Sequence, residues 1–207
     1  MFLIQSKSIE QLKKIGFNNR KELRELGVIG LLILILYLTG LHTDVAAFAQ
    51  RVILETGLIT PSTETVEDVY LDYDFELKTL EGEHVSFRQF ENKVVFINLW
   101  ATWCPPCIAE MPGIQDLYSS IDHDDIEFVM ITIDRDTQKP PKFIERKGYT
   151  FPVYYPEDSF PELLRAPSIP TTFVFDKSGK LISKKVGMAK YNRKSFRNFL
   201  IKHAEEL

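Results

Sequence analysis

Lys93–Pro112 reads KVVFINLWATWCPPCIAEMP, and the parsing of this stretch decides the fold. Lys93–Trp100 is a nearly continuous apolar run, rich in Val and Ile and too short for a helix. That combination predicts a strand buried on both faces. Ile108–Tyr118 follows as a helix. Between them lies Trp103-Cys104-Pro105-Pro106-Cys107, which holds the only two cysteines of the chain. Two intervening residues at a helix start let the sulfurs close a small disulfide ring. Cys104 then sits at the helix N-terminus, where unpaired N–H groups and the dipole favour a thiolate. Pro105 and Pro106 have no N–H, which the first helical turn does not require. They do remove two donors from the Cys104 sulfur and leave the Cys107 N–H as the nearest one. Cys104 is therefore expected at the exposed helix start as the attacking thiol, and Cys107 one turn inward as the resolving thiol. Trp103 belongs on the exposed loop as a substrate-facing side chain, and Trp100 in the core.

Working outward, Glu127–Ile133 is a second buried strand. Asp136 or Thr137 can cap a helix that begins near Pro140 and stops at Gly148. Phe151–Tyr155 is a short strand, and residues 156–168 form a proline-interrupted excursion. Thr171–Phe175 and Lys180–Lys184 flank Asp176-Lys177-Ser178-Gly179, a hairpin signature. Asn192–Ala204 closes the chain with an amphipathic helix that places Phe196, Phe199 and Leu200 at core spacing. Upstream, Asp74–Thr79 and His84–Phe87 form a hairpin around Glu81-Gly82-Glu83. Strands alternating with helices and ending in a hairpin predict an α/β fold with a mixed sheet flanked by helices.

The 207 residues, 44% hydrophobic and 26% charged, suffice for one globular domain and an appendage. Residues 1–27 carry six Lys/Arg and three Glu, which leaves 19 basic and 26 acidic residues in the remainder. The net charge of −4, without a basic patch, argues against nucleic acid as a partner. Two cysteines exclude a structural disulfide framework. The scattered His42, His84, His123 and His203 complete no zinc site with them, and no cofactor is expected. Val28–Leu41 is almost wholly apolar, and extension through Ala49 approaches the length of a bilayer-spanning helix. Residues 28–49 are therefore expected as a transmembrane anchor, with a signal peptide cleaved near Ala47-Phe48-Ala49, or a core helix, as the other readings. The basic leader 1–27 stays inside by the positive-inside rule, so the chain beyond residue 50 is exported. Residues 50–69, with their Pro-Ser-Thr-Glu-Thr stretch, read as a linker, whose first part, Val52–Ile59, is suited to packing on either the membrane or the domain, and 70–207 read as the folded domain.

From about Tyr70 onward the chain resembles the thioredoxin superfamily, and within it the membrane-anchored TlpA/ResA-like branch. The resemblance rests on FINLWATWCPPCIAEMP, with Glu110 and Pro112 following the second cysteine, and on Ser168-Ile169-Pro170-Thr171-Thr172. It implies a cis Ile169–Pro170 bond beside the sulfurs, with Ile169 and Pro170 in a substrate-binding loop. Thioredoxin itself has a buried Asp where this chain has Asn98, which cannot titrate. The resemblance offers Glu110 as the carboxylate that moves the proton of Cys107. It further implies a protein-disulfide reductase on the outer face of the cytoplasmic membrane, facing the periplasm or cell exterior. A membrane electron donor and exported proteins with thiols or disulfides, such as apocytochromes c or metal-assembly proteins, would be its partners. Two alternatives stay open. A peroxiredoxin-type peroxidase would need Thr or Ser at Ala101, and a non-catalytic binding module would carry an inert disulfide.

Overall fold

A computed structural model of the protein describes residues 19–39, 41–61, 68–157 and 160–206. These fall into two compact units divided between His42 and Thr43. The first holds helix α1 (Asn19–Leu38), whose apolar side chains from Val28 to Leu38, Leu36 excepted, are exposed. Helix α2 is Leu41–Glu55. Among the described residues no single helix is long and apolar enough to cross a membrane.

The second unit is built on a seven-stranded sheet. Its strands are β1 (Glu76–Thr79), β2 (His84–Ser86), β3 (Val94–Trp100), β4 (Ile126–Thr132), β5 (Val153–Pro156), β6 (Thr171–Phe175) and β7 (Leu181–Val186). They lie in the order β2-β1-β5-β4-β3-β6-β7. The β3–β4 and β4–β5 pairs are parallel, and the other four are antiparallel. Helices α3 (Pro105–Ser120), α4 (Lys139–Lys147) and α5 (Lys194–Glu205) complete the mixed α/β arrangement expected from the sequence. All seven residues of β3 are buried. Alternation of side chains along a strand sends Val94, Phe96 and Trp100 into one core and Val95, Ile97 and Leu99 into another.

The two cores are closed differently. The first packs Ile108, Met111 and Ile114 of α3, Phe143 of α4, and Phe196 and Leu200 of α5 on the sheet. The second is closed by Leu71, Phe75, Phe87, Phe90 and Leu164, none of which belongs to an α-helix. Phe87 and Phe90 lie on a single 3-10 turn, Phe87–Phe90, and Phe87 stacks on Phe75 at 4.3 Å between ring centroids.

Two local features differ from the sequence reading. Helix α4 is capped by neither Asp136 nor Thr137. Gln138 holds the N-cap position without a side-chain bond, and Asp136 Oδ1 instead accepts the Gln138 N–H at 3.0 Å. A short polar side chain bonding two residues ahead makes a turn, and the helix starts after it. At the other end Gly148 does stop α4, in the left-handed conformation at φ 66° that glycine adopts without a Cβ clash.

Helix α2 also crosses the boundary drawn between the segment 28–49 and the linker 50–69. Its Ala47 and Leu54 are buried in the first core. Asp44 pairs with Lys147 at 3.0 Å, and Glu55 pairs with Lys190. Ala47-Phe48-Ala49 is thus part of a packed helix.

Candidate active site

The redox pair stands where β3 hands over to α3. Cys104 is the N-cap of α3, and Pro105 and Pro106 fill the first helical positions. Proline suits those positions because its fixed φ is already helical and its missing N–H would have had no helical partner. Cys104 and Cys107 are joined as a disulfide with 5.3 Å between their Cα atoms. Cys104 Sγ accepts the Cys107 N–H at 3.3 Å, the donor left over once two prolines occupy the intervening positions. The two cysteines differ little in exposure. Cys104 is 4% exposed and Cys107 1%, so the expectation of an openly exposed Cys104 does not hold for the disulfide form. Both cysteines belong to the first core, where the apolar packing of α3 on the sheet closes around them. Trp103, by contrast, is 55% exposed.

Glu110 is not a solvated helix residue. It is 1% exposed and lies on α3, one turn beyond Cys107. Its two oxygens have separate donors. Asn98 Nδ2 donates to Oε1 at 2.9 Å, and the Ala189 backbone N–H donates to Oε2 at 2.9 Å. Asn98 Nδ2 also donates to Thr172 Oγ1 at 2.9 Å. The amide thus ties β3 to α3 and to the facing residue of β6. Burial pushes the Glu110 carboxyl from the ordinary 4.5 up to about 8, against the lowering pull of these two bonds and of Lys185. Burial, then the charge of Glu110, holds the Tyr191 phenol well above its usual range.

The Ile169–Pro170 peptide bond is cis, as expected. Pro170 is buried, and Ile169 is partly buried against the core that contains both cysteines. Ala101, at the position where a peroxidase frame needs a hydroxyl, is fully buried. Several participants carried no local signal in the sequence. The Ala189 donor is a backbone group, and Thr172 is remote from Asn98 in the chain. The carboxylate of Asp134 holds Thr102 from 32 residues away.

The family model described as AhpC/TSA matches residues 73–184. The chain is 32% identical over 159 residues to thiol-disulfide oxidoreductase ResA of Geobacillus thermodenitrificans, covering 74% of this chain and 83% of that protein. It is 34% identical over 109 residues to the ResA of Geobacillus kaustophilus, covering 52% of this chain and 63% of that one. The crystal structure of StoA from Bacillus subtilis is similar with a TM-score of 0.50 at 27% identity. That match covers 60% of this chain and 94% of StoA.

Proposed function

The chain belongs to the AhpC/TSA family as a ResA-like thiol–disulfide oxidoreductase, and from that premise we propose that it reduces disulfides of exported proteins. The observation that carries this reading is the disulfide-forming pair at the start of α3 with a buried, proton-holding carboxyl one turn further on. In the reduced protein the Cys104 thiolate attacks a client disulfide, forming a mixed disulfide and expelling one client thiolate. Cys107 loses its proton to the Glu110 carboxylate and attacks the Cys104 sulfur. The second client thiolate leaves, and the Cys104–Cys107 bond forms. Two electrons have passed from the pair to the client. A membrane electron donor restores the pair by the reverse exchange. Trp103 and the Ile169–Pro170 loop receive the client chain.

The basic leader and the apolar stretch from Val28 to Leu38 support an extracytoplasmic site held at the membrane through that stretch, which precedes the packed helix α2 in the chain. Maintenance of thiols for cytochrome c or metal-site assembly is the process that fits a reductase in that place. The roles of the two sulfurs are separable by trapping. Cys107→Ser should accumulate covalent complexes with clients, because no second thiol resolves them. Cys104→Ser should trap few or none. Equal trapping by both variants would reverse the assigned roles, and trapping by neither in a reduced sample would favour an inert binding module.

A further inference from the structure

The loop that carries Trp103 up to Cys104 is fastened at one point. Thr102 donates twice to Asp134, its backbone N–H to Oδ2 at 2.8 Å and its hydroxyl to Oδ1 at 2.6 Å. Asp134 lies just beyond the end of β4 and is 8% exposed. Its Oδ2 accepts a further bond from Thr132 Oγ1 at 2.8 Å, so both oxygens are engaged. The ground under Asp134 is itself held. Its own N–H reaches Thr132 Oγ1 at 3.3 Å, and the Ile133 N–H donates to Trp100 O at 2.9 Å. The following loop is braced by the Tyr155 hydroxyl, which donates to Thr137 O at 2.8 Å. Two residues after Thr102 the Cys104 N–H closes a tight turn onto Ala101 O at 3.2 Å. A buried carboxylate satisfied by three short bonds is costly to disturb, and here those bonds join the end of β4 to the residue just before Trp103.

The geometry points to Asp134 as a positioning residue for the redox pair: by clamping Thr102 to the end of β4, it fixes the place of Trp103 and of the Cys104 sulfur. The clamp has a second effect. It consumes both donors of Thr102, so neither is free for the Cys104 sulfur, and the Cys107 N–H keeps that role. The inference rests on the pair being redox-active, and glutathione disulfide is the probe because it needs no client docking surface.

Three variants of the full chain test it, each reduced and mixed with glutathione disulfide. Asp134→Ala removes all three bonds and should slow exchange at Cys104 at least about tenfold, as misplacement of a reacting group does. It should also move the equilibrium constant of the pair with glutathione by about threefold or more. Asp134→Asn keeps an acceptor for the Thr102 N–H and a partner for its hydroxyl, so it should stay within about threefold of wild type. Thr102→Val deletes only the hydroxyl, should fall between the two, and carries the test if Asp134→Ala does not fold. A folded Asp134→Ala, or a Thr102→Val standing in for it, with wild-type exchange and equilibrium would overturn the clamp. Asp134→Asn as impaired as Asp134→Ala would also overturn it, since charge and not position would then matter. Wild-type protein inert toward glutathione disulfide would remove the redox reading itself, and the clamp with it.

Discussion

Glu110 must lose its own proton before it can take one from Cys107, and burial delays that loss to about pH 8. The resolving step should therefore speed up as pH rises through about 8, and Glu110→Gln should remove that limb from the pH–rate profile of exchange. An unchanged profile would make Glu110 a structural residue. The fold should tolerate the change. The new amide opposes one of its two donors, but Asn98 can turn its amide, because Asn98 Oδ1 has no partner in the present orientation. Stability gives an independent reading. A carboxyl whose folded value lies above its unfolded value binds its proton more tightly in the native state. Its contribution is thus complete below about 4.5 and is lost as pH rises toward about 8. The slope in that window is at most about 1.4 kcal/mol per pH unit. Urea unfolding of Glu110→Gln from pH 5 to 9 should show a flatter decline than wild type. The sequence supplied Glu110 through family resemblance but not its burial. Cys107, Ile108, Ala109, Glu110 and Met111 are all buried, so α3 has no polar stripe at this point from which a face could be read.

Strand β3 was legible because both of its faces are covered, which leaves an unbroken apolar run of strand length. Its neighbours β4 and β6 were legible for similar reasons, and hairpin chemistry located the β6–β7 turn. Helix α2 was not legible as a packed element. LHTDVAAFAQRVILE suits the end of an apolar anchor as well as it suits a docked amphipathic helix. Only the tertiary partners of Asp44, Ala47, Leu54 and Glu55 decide between them. Leu54 and Glu110 line the same small cavity, with α2 on one side and α3 on the other. Leu54→Ala should therefore lower unfolding stability by about 2–5 kcal/mol, as truncation of a buried leucine does. Ile53→Ala, at a half-exposed position beside it, should change stability by less than about 1 kcal/mol. Equal, small effects in urea titrations of the two variants would mean that α2 does not dock in solution.

For the whole chain, the asymmetry between the basic leader and the acidic remainder makes a topological prediction. A reporter joined after Leu207 should be active only when it requires export, and carbonate washing should leave the full-length protein with the membranes. Activity of a cytoplasm-only reporter at that site would sink the proposed location. The division of the chain at His42 and Thr43 lies far from the expected domain start near Tyr70. The expected start followed the Pro-Ser-Thr-Glu-Thr stretch, whose composition reads as a linker, whereas hydrogen bonds to distant residues leave no mark in local composition. Ile59 O, for instance, accepts the Lys190 N–H at 3.0 Å. The docking of residues 43–59 also bears on how the catalytic unit behaves in isolation. A chain shortened to begin at Tyr70 would keep its sheet and both cysteines but lose Ala47, Leu54 and Ile59 from the first core. The apolar footprint left on α3 would then face water, and such a patch is covered most readily by a second copy of itself. The shortened protein should self-associate as its concentration rises, whereas one beginning at Thr43 should remain a single particle in solution.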